Sequence, residues 1–376
     1  MPRKKKETVA GSGVNGVINA LKSRYPGKIF IADEYTMPWM LKRLSTGILD
    51  LDIALSGGLP AGGMSFFTGK QGVGKNWLAN QIIREHQKRH ENTTVAVVST
   101  EMVYDKLFAK NCDVRVSLSD REIAEINDNH DLSDEEIALL KDQVGTFVTV
   151  PPSTAEDSLS IAIDLIASRE FDIVLIDSFG SLLTEHDEEN DLSSSQRVGG
   201  AAMLNTRFAR KLNKALAPDK DGNPNLTCVI GINQVRDNTD RANKYSPKTI
   251  EAGGWALKHA RWVTVELSPI STIKEGKEKV GKTIRWEITK QKAGGHEGAS
   301  STYDFFHSRC GINRAAHSII VASKYDVVIR SGPWYSYEGT KIGQGADNAA
   351  KYVLENDLLE EIEEKTLAAA NIRCSY

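Results

Sequence analysis

The run Gly69-Lys70-Gln71-Gly72-Val73-Gly74-Lys75-Asn76 has the residue types and spacing of a phosphate-binding loop, G-x-x-x-x-G-K-[ST], in all but its last position. A short apolar stretch, residues 64–68, precedes it and reads as a strand. Trp77, Leu78, Ile82 and Ile83 follow at helical spacing, and Trp77 is counted with the loop as a nucleotide contact. Glycines let the backbone curl so that several N–H groups converge on phosphate oxygens, and the following helix adds its positive pole. In that arrangement Lys75 reaches the β- and γ-phosphates. The final position ordinarily supplies a hydroxyl to Mg²⁺, and here it holds the amide of Asn76. The pattern points to nucleotide binding and, through the amide, speaks less strongly for hydrolysis.

Three further strand ends carry polar chemistry. Residues 171–176 form an apolar run that delivers Asp177, a carboxylate able to hold Mg²⁺ through its water shell. Residues 94–98 lead to Glu101, which is suited to polarising a water for attack on a γ-phosphate. Residues 226–232 lead to Gln234, a neutral amide able to sense that phosphate. Ligands of open α/β sheets gather at the carboxyl ends of strands, so these ends support one another if they share a rim.

Such residues must be positioned by a substantial scaffold. The chain has 376 residues, 40% hydrophobic and 26% charged, with a net charge of −3. This is the composition of a soluble globular protein without an overall basic coat, compatible with nucleic acid bound on a local basic strip. No apolar run approaches the ~18 residues of a membrane helix, and the basic start lacks the apolar stretch of a secretory signal, so a cytoplasmic location is expected. The four cysteines are scattered, which argues against a disulfide frame or a zinc site. His86 and His90 lie four apart and read as a solvated helix face.

Strand-like runs alternate with helical patterns from residue 64 to 232, which predicts βαβ units and a mostly parallel twisted sheet flanked by helices, an α/β fold. Residues 262–267 and 283–289 alternate with period two, as antiparallel additions do. An acidic, helix-patterned segment at 117–144 reads as an inserted surface pair. We divide the chain into a tail and N-terminal helix (1–40), an ATPase core (41–317) and a small C-terminal α/β domain (318–376), which ends in an acidic helix over 354–370.

Several longer stretches resemble bacterial RecA recombinases. Ser45-Thr-Gly-Ile-Leu-Asp-Leu-Asp-Ile-Ala-Leu-Ser-Gly-Gly-Leu-Pro60 is similar to the lead-in to that family's nucleotide site. Ile232-Asn-Gln-Val-Arg236 and Ala252-Gly-Gly-Trp-Ala-Leu-Lys258 resemble its sensor and second DNA loop. Trp334-Tyr-Ser-Tyr-Glu-Gly-Thr-Lys-Ile-Gly-Gln-Gly345 resembles its C-terminal signature. The resemblance implies a P-loop core and a helical homo-oligomeric filament on single-stranded DNA. Such a filament assembles with ATP and Mg²⁺, pairs with homologous duplex and exchanges strands in recombination, DNA repair and the SOS response. Single-strand-binding or mediator proteins are implied as partners.

By the same resemblance Glu101 is the catalytic glutamate and Gln234 the switch between γ-phosphate and DNA. Asp105 and Phe108 contact adenine, and Lys290 and Lys292 reach the nucleotide of the adjacent subunit. Two DNA loops are implied. The first includes Arg197, Gly199 and Gly200. The second runs from Arg236 through Arg241, Lys244, Tyr245 and Lys248 to Gly253 and Gly254. Sequence-neutral backbone contact is their expected mode. The chain departs from the family at Asn76, at Arg314-Ala315 after Gly311-Ile-Asn313 (where the family has aromatic residues, one against the adenine) and in the 117–144 insertion. A hexameric motor of the same fold and a non-hydrolysing, nucleotide-gated DNA-binding paralogue remain the competing readings.

Overall fold

The computed structural model describes residues 13–26, 29, 37–128, 130–182, 200–237, 249–251 and 254–372. Fifteen strands are present among them. A two-residue ribbon pairs β1 (Arg43–Leu44) with β2 (Leu59–Pro60). The main sheet contains β3 (Met64–Gly69), β4 (Thr94–Ser99), β5 (Thr146–Val150), β6 (Ile173–Asp177), β7 (Cys228–Asp237), β8 (Thr249–Glu251), β9 (Val263–Glu275), β10 (Glu278–Gln291), β11 (Ser300–Phe306) and β12 (Gly311–Ile312). A small antiparallel sheet follows, of β13 (Ile329–Ser331), β14 (Trp334–Tyr337) and β15 (Thr340–Gln344).

The order across the main sheet is β12-β11-β10-β9-β3-β7-β6-β4-β5, with β8 pairing onto β7. From β9 to β5 every pair is parallel, while β10 to β12 add antiparallel strands at one side. The fold is therefore α/β, with a mostly parallel sheet flanked by helices. Period-two patterning alone suggested that β9 and β10 were both antiparallel additions. In fact β9 lies parallel to β3 on one side and antiparallel to β10 on the other, so it joins the two regimes.

Strand residues alternate between two buried faces, as a sheet covered on both sides requires. One face sends Phe67, Val95, Val97, Leu175 and Ile230 against Leu78 and Ile82 of the Lys75–Arg89 helix. The other sends Phe66, Ala96, Val98, Val174 and Ile176 against Leu159 and Ile166 of the Ala155–Ser168 helix and against Phe208 and Leu212. Among the described residues no helix is long and apolar enough to cross a membrane.

The motif before the phosphate loop has a local structural cause. Buried Asp52 accepts hydrogen bonds from Ser45 Oγ (2.6 Å), the Thr46 amide (2.7 Å) and Thr46 Oγ1 (2.7 Å), which fold the lead-in onto its own short helix. Gly47 sits at φ +71°, and a Cβ there would meet Gln81 Nε2 at 2.4 Å, so only glycine fits.

The N-terminal helix spans Gly13–Arg24. Residues 117–144 hold two short helices, Asp120–Asn127 and Asp134–Lys141. Each opens on a capping box, Ser119 with Glu122 and Ser133 with Glu136. The acidic stretch near the C-terminus is two helices, Ala346–Glu355 and Leu359–Ala369, where the sequence suggested one over 354–370. The chain breaks at Asp357, which takes φ +52°. These helices, the Arg314–Ala322 helix and the small sheet enclose a separate core of Ile319, Val328, Tyr335, Ile342, Val353 and Ile362.

His86 corrects its sequence reading. It is buried, with its ring 4.4 Å from that of His90, because Asp172, just before β6, lies against its side of the helix with Oδ1 3.7 Å from Nε2. No metal-binding cluster occurs among the described residues.

Candidate active site

Parallel register brings the polar strand ends to one rim. Gly69 of β3 pairs with Gln234 of β7, Asp177 of β6 pairs with Ile232 of β7, and Ser99 of β4 pairs with Asp177. The loop 70–74 then turns into the helix that begins at Lys75. Gly69, Gly72 and Gly74 take φ of +151°, +70° and +100°, the backbone freedom for which the glycines are spaced.

Lys75 is buried, and its ammonium donates to the carbonyls of Gly69 (3.0 Å) and Lys70 (2.9 Å). Burial lowers its pKa, opposed by the negative charges of Asp177 and Glu101. Burial pushes Asp177 up to about 6, and the Glu101 charge adds to the rise. Asn76 Nδ2 donates to Asp177 Oδ2 at 2.5 Å. A buried cation facing two carboxylates, one of them driven toward its proton, is a donor set suited to a polyanion carrying a divalent cation.

Glu101 is held from two sides. Ser178 Oγ donates to its Oε1 at 2.6 Å, and Gln234 Nε2 lies 3.1 Å from the same oxygen and 3.4 Å from Oε2. Ser178 is fixed in turn by Thr100, whose hydroxyl accepts from the Ser178 amide (2.8 Å) and donates to its carbonyl (2.6 Å). The Asp177–Ser178 peptide is cis. Ser178 has no motif of its own in the sequence, and its adjacency to Asp177 is the available signal.

Two clefts flank the loop. One, ≈ 300 Å³, is bordered by Gln71, Lys75, Glu101, Tyr104, Asp177 and Gln234, and Asp105 and Phe108 also line it. The other, ≈ 390 Å³, is bordered by Gly72, Val73, Phe108, Ile284, Phe305 and Cys310. Phe108 thus stands between them. Asp105 caps the Lys106–Asn111 helix by accepting from the Phe108 amide at 2.8 Å, which fixes the two residues relative to each other. Tyr104, not singled out in the sequence, donates to Asn80 Oδ1 at 2.7 Å and stacks on Phe147 with centroids 5.6 Å apart.

Trp77 is a core residue. Its indole is 1% exposed, packs 5.4 Å from Tyr303 and 5.3 Å from Phe305, and donates to the Cys310 carbonyl at 2.8 Å. The helix turns it toward β11, where it forms part of the wall of the ≈ 390 Å³ cleft from the core side. Arg314, which stands where the family has aromatic residues, lies between the core and the C-terminal helices. Its guanidinium donates to Glu85 (3.0 Å) and to both oxygens of Glu363 (2.9 and 2.5 Å).

Lys290 and Lys292 border neither cleft. Lys290 donates to the Lys258 carbonyl and Lys292 to that of His259 at 2.7 Å, so both sit at the end of the Gly254–Ala260 helix. Burial, with Lys292 and Arg261 nearby, lowers the Lys290 pKa to about 8. Of the DNA-loop residues, Gly200 and Gly254 begin helices, and Arg236 lies in β7 opposite Ile250. Arg197, Gly199, Arg241, Lys244, Tyr245, Lys248 and Gly253 lie outside the described residues.

Comparison with known proteins follows this geometry. The RecA N-terminal domain family matches residues 116–299, and the RecA C-terminal domain family matches residues 318–371. Protein RecA of Leptospira biflexa serovar Patoc is 32% identical over 322 residues, covering 85% of this chain and 73% of that protein. Protein RecA of Caldanaerobacter subterraneus subsp. tengcongensis is 31% identical over 324 residues, covering 86% and 83%. A crystal structure of the RadB recombinase superposes with a TM-score of 0.45 at 19% identity, over 72% of this chain and 98% of that one, and adds nothing to the assignment. With identity sustained across most of both sequences, the chain belongs to the RecA family.

Proposed function

We propose that this protein is an ATP-dependent DNA recombinase that assembles as a helical filament on single-stranded DNA and exchanges strands with homologous duplex. The observation that carries this reading is the shared grip of Ser178 and Gln234 on Glu101, beside Lys75 and Asp177 at one sheet rim. Family membership supports it.

In this reading the loop amides and Lys75 bind the β- and γ-phosphates, and Phe108 and Asp105 border the base. Asp177 and Asn76 would hold Mg²⁺, which when bound supplies charge neutralisation for the phosphates. Glu101 orients the attacking water and takes its proton. A carboxylate fixed by Ser178 is already aligned for that task, which lowers the entropic part of the barrier. Gln234 bonds to Glu101 and lies in β7, the strand that leads into the second DNA loop. A change in its partner is therefore felt by the chain that follows. Lys290 and Lys292 act on the nucleotide of an adjacent protomer, so turnover needs assembly.

The Asn76–Asp177 bond favours a second reading, a nucleotide-gated DNA-binding paralogue that hydrolyses weakly or not at all. ATP hydrolysis measured with and without single-stranded DNA, beside a strand-exchange assay, tests both. DNA-stimulated hydrolysis with exchange supports the recombinase. Binding without either activity supports the paralogue, and no binding to DNA in the presence of a non-cleavable ATP analogue overturns both.

A further inference from the structure

Trp255 is 79% exposed on the short Gly254–Ala260 helix. A side chain this large is ordinarily part of a core or an interface. Its measured ring contacts on the same helix are with charged or polar side chains. Lys258 Nζ lies 5.8 Å from the indole centroid and the His259 ring is 6.4 Å away. Lys290 and Lys292 hold the carbonyls of Lys258 and His259 directly behind. Arg261, also near Lys290, is buried with its guanidinium 3.8 Å from the Phe66 ring centroid and faces the core, and the acid Glu297 acts against these charges.

The platform is packed against a longer helix. A Cβ on Gly254 would stand 3.6 Å from Ala202 Cβ, so this helix abuts the Gly200–Ala215 helix, which exposes Met203 (57%) nearby. An exposed indole with the Lys258 ammonium beside it, and Lys290 and Lys292 at the far end of the same short helix, is complementary to a polyanion whose repeating units carry flat faces. Single-stranded nucleic acid has that chemistry, whereas a second copy of this chain, with a net charge of −3, supplies no comparable density of paired rings and negative charges.

We infer that Trp255 is a base-stacking platform for single-stranded nucleic acid, with Lys258 as its electrostatic partner. This rests on the DNA-binding reading above and adds to it. The expected mode of the DNA loops is sequence-neutral backbone contact, whereas Trp255 gives the strand a base-dependent anchor. Stacking tolerates any base, so the anchor adds affinity without sequence preference.

The test is equilibrium binding of labelled oligothymidylate and of an abasic oligonucleotide of equal length, at fixed salt with a non-cleavable ATP analogue. The wild type, Trp255→Phe and Trp255→Ala are compared. The wild type should favour the base-bearing strand by roughly tenfold. Trp255→Ala should lose about that factor on oligothymidylate and little on the abasic strand, with an unchanged salt slope, while Trp255→Phe retains most of the preference. Equal losses on both strands, or none on either, would overturn the inference while leaving DNA binding standing. A wild type that binds neither strand would remove the DNA-binding reading itself. Loss of nucleotide-induced assembly by Trp255→Ala without DNA would show that a second protomer covers the indole, and would also overturn it.

Discussion

The amide of Asn76 donates to the carboxylate of Asp177 across 2.5 Å, joining the residue that ends the phosphate loop to the one that ends β6. Both positions are those expected to hold Mg²⁺, and here they hold each other. A metal that binds through them must compete with this hydrogen bond, and octahedral Mg²⁺ tolerates little displacement. Asn76→Thr restores a shorter hydroxyl and frees the carboxylate. We expect it to lower the Mg²⁺ concentration for half-maximal ATP hydrolysis about tenfold, roughly the ~1.4 kcal/mol of one hydrogen bond to a charged group. A Mg²⁺ titration identical to wild type would sink this account.

Asp177 also sets a pH dependence. Its folded pKa, about 6, lies above the ordinary carboxylate value, so the folded state binds the proton more tightly than the unfolded chain. Its contribution to stability is full below the unfolded pKa and is lost as pH rises through 6. Asp177→Asn removes that loss. Urea unfolding should therefore show the variant more stable than wild type at pH 8, by about 3 kcal/mol, with the difference shrinking toward pH 4. Metal-supported nucleotide binding in the wild type should weaken below pH 6, where the carboxylate carries its proton.

Ser178 separates positioning from chemistry at Glu101. Glu101→Gln removes the base and should reduce hydrolysis by about 10²- to 10⁴-fold. Ser178→Ala leaves the base but releases one of its two holders. It should lower kcat by about tenfold with little change in KM for ATP, the pattern of an interaction felt mainly in the transition state. A change confined to KM would assign Ser178 to nucleotide binding instead.

Arg314 joins the core to the C-terminal helices through Glu85 and Glu363, and all three side chains are largely shielded from water. The two carboxylates hold its pKa above the ordinary guanidinium range, although burial acts the other way. Arg314→Ala leaves both acids without their partner and should cost about 3 kcal/mol in urea unfolding. Arg314→Met fills the space without the charge, and combined with Glu363→Gln it should recover part of that loss. Equal stability of Arg314→Ala and wild type would refute the role.

Strong local patterns were legible before any coordinates. The glycine spacing of the phosphate loop, the apolar runs ending in Asp177, Glu101 and Gln234, and the capped helices of residues 117–144 all have short-range causes. What escaped was set by distant partners. The indole of Trp77 points into the core because β11, more than two hundred residues later, supplies Tyr303 and Phe305. Arg314 faces Glu85 and Glu363 for the same kind of reason. Cys112 and Cys310, scattered in sequence, meet with sulfurs 3.4 Å apart as free thiols. His86 read as solvated because helical spacing says which residues share a face but not what covers it.

The two capped helices at 117–144 are fastened to the short helix that carries Phe108. Lys106 pairs with Glu122 at 2.9 Å, and Lys110 donates to the carbonyls of Leu139 (2.7 Å) and Asp142 (2.6 Å). Phe108 lies between those two lysines on the same two turns. Whatever grips this appendage from outside therefore has a lever on the wall of the clefts beside the phosphate loop, and a tug on the surface is transmitted to the ring that stands between them.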